Sequence, residues 1–127
     1  MSEKRLLALR GAAQCLNTKE DIQTQTVALY DELLSKNNLA EEDLVSLTFS
    51  VTRDLDEKNP ATALREKGRA QKTALFVTQE AHFLGSMERV IRVLVHCYCD
   101  SSCSPIPVYR NGAETLRQLS ENRSLRG

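Results

Sequence analysis

Apolar and polar residues alternate most clearly over residues 45–51, where Val, Leu, Phe and Val are separated by Ser and Thr. Successive side chains of a strand point to opposite faces, so this pattern predicts a strand with one buried face. Residues 87–98 are rich in β-branched side chains, which favours a second strand over a helix. Shorter apolar runs predict strands over 6–9 and 73–78 and a brief pairing at 108–109.

A first helix is predicted between Thr18 and Asn37. Thr18 is a favoured N-cap residue, and Glu20 and Asp21 follow where the positive end of the helix dipole favours acidic side chains. Apolar residues then recur three and four positions apart, which gives the helix one buried stripe. The pair Asn37-Asn38 offers a left-handed ending.

A second, shorter helix is predicted over 61–67. Asn59 supplies its cap, Pro60 stands in the first turn, and Gly68 closes it. Strands of mixed length with two helices between them indicate an α+β domain, with a mixed, mainly antiparallel sheet and helices on one face. Two helices are too few to cover both faces, so part of the apolar strand surface is expected to pack against another subunit.

Length and composition fit a single domain over residues 1–127. Of the 127 residues, 41% are hydrophobic and 27% are charged, so the chain is expected to fold. The polar residues 113–127 are predicted to form a mobile tail. Seventeen basic residues balance seventeen acidic ones without a basic cluster, which argues against a nucleic-acid partner.

The N-terminal segment, residues 1–5, leads into a run of only four apolar residues, 6–9, before Arg10. Such a run is too short for the core of a signal peptide or for a membrane span. A cytoplasmic protein without a membrane partner is therefore expected.

Three of the four cysteines lie in the run from His96 to Cys103. A zinc site would use His96 with three thiolates, but the spacing of two pairs that is usual in structural zinc sites is missing. In a strand, Cys97 and Cys99 would share one face while His96 points to the other. Reduced thiols are therefore favoured over a metal site, and no metal or cofactor is expected.

The arginines carry the most informative candidate chemistry, because common catalytic motifs are missing from the sequence. It contains no Gly-rich phosphate loop, no nucleophile elbow and no His-Glu-x-x-His motif. The planar fork of arginine donates two parallel hydrogen bonds to a carboxylate and keeps its charge at physiological pH. A set of arginines therefore suits a ligand rich in carboxylates.

Arg92 differs from the other arginines because it falls inside an apolar strand. A cation in that position needs a buried partner, and Glu80 is a candidate for this partner or for a second ligand contact. Arg10 is predicted at the end of the first strand. From composition alone, Arg65 and Arg117 are better explained as solvated or salt-bridged surface residues than as ligand-binding residues.

Several short segments together resemble the trimeric α+β chorismate mutases, which are unrelated in fold to the all-helical chorismate mutases. Each segment is short, but their order and spacing extend over most of the chain. They are Leu9-Arg-Gly-Ala12, Asn17-Thr18, Ser50-Val-Thr-Arg-Asp-Leu55, Pro60-Ala-Thr-Ala-Leu-Arg-Glu66, Gln79-Glu80, Ile91-Arg-Val93, Val108-Tyr109 and Leu116-Arg117.

This resemblance implies rearrangement of chorismate to prephenate, an intramolecular Claisen reaction of aromatic amino acid biosynthesis that needs no cofactor. Catalysis would consist of holding the flexible dianion in a reactive conformation and stabilising charge that develops in the transition state. By the resemblance, Arg92 would donate to the ether oxygen and Glu80 would accept from the ring hydroxyl. Arg10 and Tyr109 would bind the side-chain carboxylate.

The resemblance also implies a homotrimer with its sites between subunits. Arg65 would then come from the neighbouring subunit and Arg117 from the C-terminal tail. Two other readings stay open. One is a trimeric imine or enamine deaminase with an interfacial arginine, although its glycine-rich segments are missing here. The other is a non-catalytic trimer that binds a carboxylate for regulation.

Three positions depart from the family pattern. Asn59 stands where an aromatic residue is familiar, Thr62 where a lysine is, and Val77 where a cysteine is. The first two departures imply a weaker hold on the substrate at the mouth of the pocket. The third matters less if the backbone makes that contact, and none of them touches Arg92 or Glu80.

Overall fold

The computed structural model describes residues 3–116, which form a five-stranded sheet with its helices on one face. The strands are β1 (Lys4–Gln14), β2 (Leu44–Val51), β3 (Ala74–Gln79), β4 (Val90–Asp100) and β5 (Val108–Arg110). The helices are α1 (Lys19–Lys36), α2 (Pro60–Glu66) and a single 3₁₀ turn, Glu41–Asp43. None of the helices within 3–116 is long and apolar enough to cross a membrane.

Strand order across the sheet is β3-β2-β4-β1-β5. The central strand β4 pairs antiparallel with β1 and β2, and these are the two longest pairings. The edge strands β3 and β5 pair in parallel with β2 and β1. A parallel connection requires a crossover, and α2 lies in the one between β2 and β3. The predicted α+β class with a mixed, mainly antiparallel sheet is confirmed.

Both predicted helices form, and their caps are those expected from the sequence. The hydroxyl of Thr18 accepts a hydrogen bond from the backbone N–H of Asp21 at 3.0 Å. The side-chain oxygen of Asn59, Oδ1, accepts from the backbone N–H of Ala61 at 2.8 Å. These side chains satisfy N–H groups that the first helical turn leaves without partners.

The hydrophobic core fills the space between the sheet and the two α-helices. Leu29 and Leu33 of α1 pack with Phe49 of β2 and Val95 of β4 in one buried cluster. A Cβ at Gly11 of β1 would come within 2.9 Å of the Leu33 side chain, so glycine here lets helix and sheet approach closely.

The first strand is longer than the sequence predicts, and the prediction that Arg10 ends it was wrong. β1 continues past Arg10 through Gly11, Ala12 and Ala13. These small residues carry no alternating pattern, yet they face closely packed neighbours and keep the antiparallel pairing with β4. Arg10 therefore projects from the middle of a strand.

Two other local predictions differ from the structure. Val45 was predicted to lie on the buried face of β2 but is exposed, because a bulge between Leu44 and Ser46 shifts the register with β4. β4 begins at Val90 rather than at residue 87. The backbone of Arg89 is left-handed, with φ of 52°, which is incompatible with an extended strand.

The sheet face opposite the helices presents large apolar side chains to solvent. Phe76 is 65% exposed, Leu6 52%, Tyr98 48% and Leu94 37%. The strand registers place all four on this open face. Exposed apolar residues grouped on one face of a sheet are typical of a surface that packs against another protein chain.

The predicted tail, 113–127, is described only at its start. Residues 114–116 form a helical turn, and Ala113 is buried. The remainder of the tail, 117–127, lies outside the described residues.

Candidate active site

Five residues form one row across the open face of the sheet. Thr78, Ser50, Arg92, Ala12 and Tyr109 lie opposite one another on β3, β2, β4, β1 and β5. This row results from the strand registers, and it brings residues from distant parts of the sequence to one place.

Arg92 and Glu80 form an ion pair at this row. The distance from Arg92 Nε to Glu80 Oε1 is 2.6 Å. The hydroxyl of Ser50 donates a hydrogen bond to the same carboxylate oxygen, Oε1, at 2.9 Å. The backbone N–H of Glu80 donates to the carbonyl of Val51 at 2.8 Å, which fixes the residue just beyond the end of β3.

The terminal nitrogens of Arg92 make no hydrogen bond within residues 3–116. Arginine carries five N–H donors, of which one is at Nε, so four remain for a ligand. The Arg92 side chain is 41% exposed whereas that of Glu80 is 18% exposed. The pair is therefore open on the guanidinium side.

A cavity of about 470 Å³ lies along the row next to Arg92. Its polar lining includes Arg10, Thr48, Ser50 and Tyr109, and its apolar lining includes Leu94. Arg10 makes no ion pair or hydrogen bond within the described chain. Two guanidinium groups with free donors therefore face one cavity, an arrangement suited to an anionic ligand with more than one carboxylate.

The structure brings together four of the residues that the sequence singled out. Arg92 and Glu80 are paired, while Arg10 and Tyr109 line the adjoining cavity. Glu80 itself lines a separate cavity of about 220 Å³ rather than the Arg92 cavity. Arg117 lies outside the described residues.

Arg65 lies away from this cavity, on the last turn of α2. Its Nη1 donates to the carbonyls of Ala70 at 2.9 Å and Gln71 at 2.8 Å, and its Nη2 donates to the carbonyl of Thr73 at 2.8 Å. Three of its five donors are thus used, and the other two have no partner within residues 3–116.

Asn59 and Val77 are also separate from the Arg92 cavity within one subunit. The side chain of Asn59 is engaged as the cap of α2. Val77 lies opposite Phe49 in the register of β3 with β2, and its side chain packs against the core. Val77 is partly buried by this packing, whereas Thr62 is exposed beside Arg65.

The sequence analysis missed Ser50 as a site residue. Ser50 was assigned only to the polar face of β2. The alternation of residues along both strands could have identified it. When β2 and β4 pair, the polar residues of β2 and Arg92 of β4 lie on the same face of the sheet.

The cysteine run forms no metal site in the part of the chain that is described, since no three His, Cys, Asp or Glu side chains there are grouped to hold an ion. Cys97 and Cys99 share the buried face of β4, as predicted. A hydrogen bond with Cys103, together with burial, raises the pKa of Cys99 to about 11. This thiol is thus protonated at neutral pH.

The sheet and its cavity define an α+β protein in which two arginines, Arg10 and Arg92, face one cavity. The profile of the family "Chorismate mutase type I" matches residues 6–119 of the sequence. The chain belongs to this family.

Individual relatives agree with this assignment. Chorismate mutase AroH of Bacillus subtilis is 31% identical over 93 residues, which are 72% of this chain and 73% of the relative. Chorismate mutase AroH of Thermus thermophilus is 37% identical over 91 residues, 68% of this chain and 74% of the relative. A solved chorismate mutase from Clostridium thermocellum superposes with a TM-score of 0.79 at 38% identity, covering 86% of this chain and 98% of that one.

Proposed function

We propose that this protein is a chorismate mutase that converts chorismate to prephenate at the site around Arg92 and Glu80. Family membership supports the activity. The observation that best supports this location of the site is the ion pair of Arg92 with Glu80. It lies beside a cavity into which free guanidinium donors project.

Arg92 would act on charge that exists only in the transition state. The C–O bond of the substrate breaks while a C–C bond forms, and the ether oxygen becomes negative as the first bond lengthens. The terminal N–H groups of Arg92 would donate to this oxygen. Because the Glu80 ion pair already orients the guanidinium, little reorganisation is needed when the charge develops.

Glu80 would accept a hydrogen bond from the ring hydroxyl through Oε2, which has no partner within residues 3–116. Arg10 and Tyr109 would bind the side-chain carboxylate at the other end of the cavity. Holding both ends of the substrate keeps the two reacting carbon atoms close together.

We further propose a homotrimer whose sites lie between subunits. The apolar residues on the open sheet face support burial against another chain. In such an assembly, Arg65 of one subunit would offer its two remaining donors to the pocket of the next. Asn59 and Thr62 would lie near it, and Arg117 would approach from the tail.

The comparisons support neither the deaminase nor the non-catalytic alternative. A cytoplasmic location and independence from metal and cofactor stay predictions.

The test is to add chorismate to the purified protein and to follow the loss of its ultraviolet absorbance, with prephenate identified by NMR. We expect turnover that a chelator leaves unchanged. A protein that binds chorismate without consuming it would refute the enzymatic proposal. Activity lost with chelator and restored by zinc would refute the metal-independent mechanism.

A further inference from the structure

Ser50 lies between the two residues of the proposed reacting centre. It is opposite Arg92 on one side and Thr78 on the other. Its hydroxyl donates to Glu80 Oε1, and its neighbour Val51 accepts from the Glu80 backbone N–H. Consecutive residues of β2 thus hold both the side chain and the main chain of Glu80.

The two carboxylate oxygens of Glu80 differ in their contacts. Oε1 receives both the Arg92 Nε contact and the Ser50 hydroxyl. Oε2 has no partner within residues 3–116 and is left to accept from a ligand. Rotation about the last side-chain bond of glutamate is only weakly restricted, so this difference depends on the groups that hold Oε1.

We propose that Ser50 is a positioning residue for the mutase reaction, which keeps Glu80 Oε2 and the terminal nitrogens of Arg92 available to the substrate. An arginine and a carboxylate tend to pair through two parallel hydrogen bonds. Such pairing would use a terminal nitrogen of Arg92 and both oxygens of Glu80. The Ser50 hydroxyl favours the single contact through Nε. This inference rests on the proposed function.

Ser50→Ala should therefore lower kcat more than it changes KM, because the substrate can still bind through Arg10 and Tyr109. We expect a loss in kcat of about tenfold to a hundredfold, the scale of one hydrogen bond to a charged group. Ser50→Thr and Ser50→Val form a matched pair of nearly equal shape, in which only threonine keeps the hydroxyl. Threonine should retain most of kcat and valine should not.

A positioning role predicts that Ser50 and Glu80 act as one unit. In a Glu80→Ala background, which removes the acceptor of the Ser50 hydroxyl, Ser50→Val should cause little further loss relative to Ser50→Thr. Ser46→Ala is the control, since Ser46 lies on the same face of β2 outside the Arg92 cavity and should leave kcat unchanged.

Two results would overturn the proposal. One is equal kcat for Ser50→Thr and Ser50→Val, each confirmed as folded by circular dichroism. The other is a Thr-to-Val loss of the same size with Ala in place of Glu80. If wild-type protein does not consume chorismate, the proposed function fails first, so the two failures are distinguishable.

Discussion

Replacing Arg92 tests the proposed mechanism most directly. Arg92→Ala removes the guanidinium that faces the cavity and leaves Glu80, whose side chain is only 18% exposed, with Ser50 as its remaining side-chain partner. Loss of one preorganised transition-state donor costs about 10²- to 10³-fold in kcat, or about 2.7–4 kcal/mol. We expect at least this loss, because Arg92 would contact the reacting oxygen itself.

Arg92→Lys separates charge from geometry. The lysine ammonium is a single point of positive charge, and the nearby Glu80 carboxylate would attract it. Its remaining N–H groups could not reproduce the planar fork that now projects into the cavity. We therefore expect Arg92→Lys to lose most of the activity although it keeps the charge.

Steady-state chorismate consumption gives kcat and KM for each variant. Arg5→Ala is the matched control, since Arg5 is an exposed arginine on the same sheet, away from the Arg92 cavity. Near-normal kcat in Arg92→Lys would refute the assigned role. So would an Arg92→Ala variant that loses only substrate affinity.

Two further predictions concern the assembly and the pH dependence of stability. Arg92→Ala and Arg65→Ala should each be nearly inactive. Unfolding and refolding the two together in equal amounts should restore about a quarter of wild-type activity. About three quarters of the cyclic trimers would then be mixed, and each mixed trimer would have one intact pocket in three. Mixed trimers seen by mass spectrometry without added activity would exclude a shared site. Burial and the charge of Asp21 raise the pKa of Cys15 from 9.0 to about 11, so the unfolded chain loses this proton first. The melting temperature should therefore fall as pH rises from 9 toward 11. Cys15→Ala should show a smaller fall, and an identical pH profile in the two proteins would contradict this cause.

The sequence predicted those parts of the fold whose signals are local. Thr18 and Asn59 were identified as helix caps because a cap depends on residues within one turn. The period of two along β4 placed Cys97 and Cys99 on one face, and both are buried in the structure. By contrast, the bulge that exposes Val45 depends on how β2 pairs with β4. The residues next to Val45 in the sequence give no sign of this pairing.

The candidate site was predicted only in part, for a related reason. Glu80 was proposed as a partner of Arg92, and the structure brings them together. The role of Ser50 was missed because it depends on the registers of β2 with both β3 and β4. Arg65 was assigned to the site from the resemblance alone, and within one subunit its contacts are to its own loop.

The pairing of β1 with β4 has a consequence for how the chain folds. Lys4 lies opposite Asp100, so a strand from the beginning of the chain completes its hydrogen bonds only with one from near its end. Contacts between residues so distant in sequence require closure of long loops and slow folding. During synthesis, β1 leaves the ribosome long before β4 exists, so its unpaired edges stay exposed to other chains. We therefore expect closure of the sheet, and with it formation of the row that carries Arg92, to be a late event in folding.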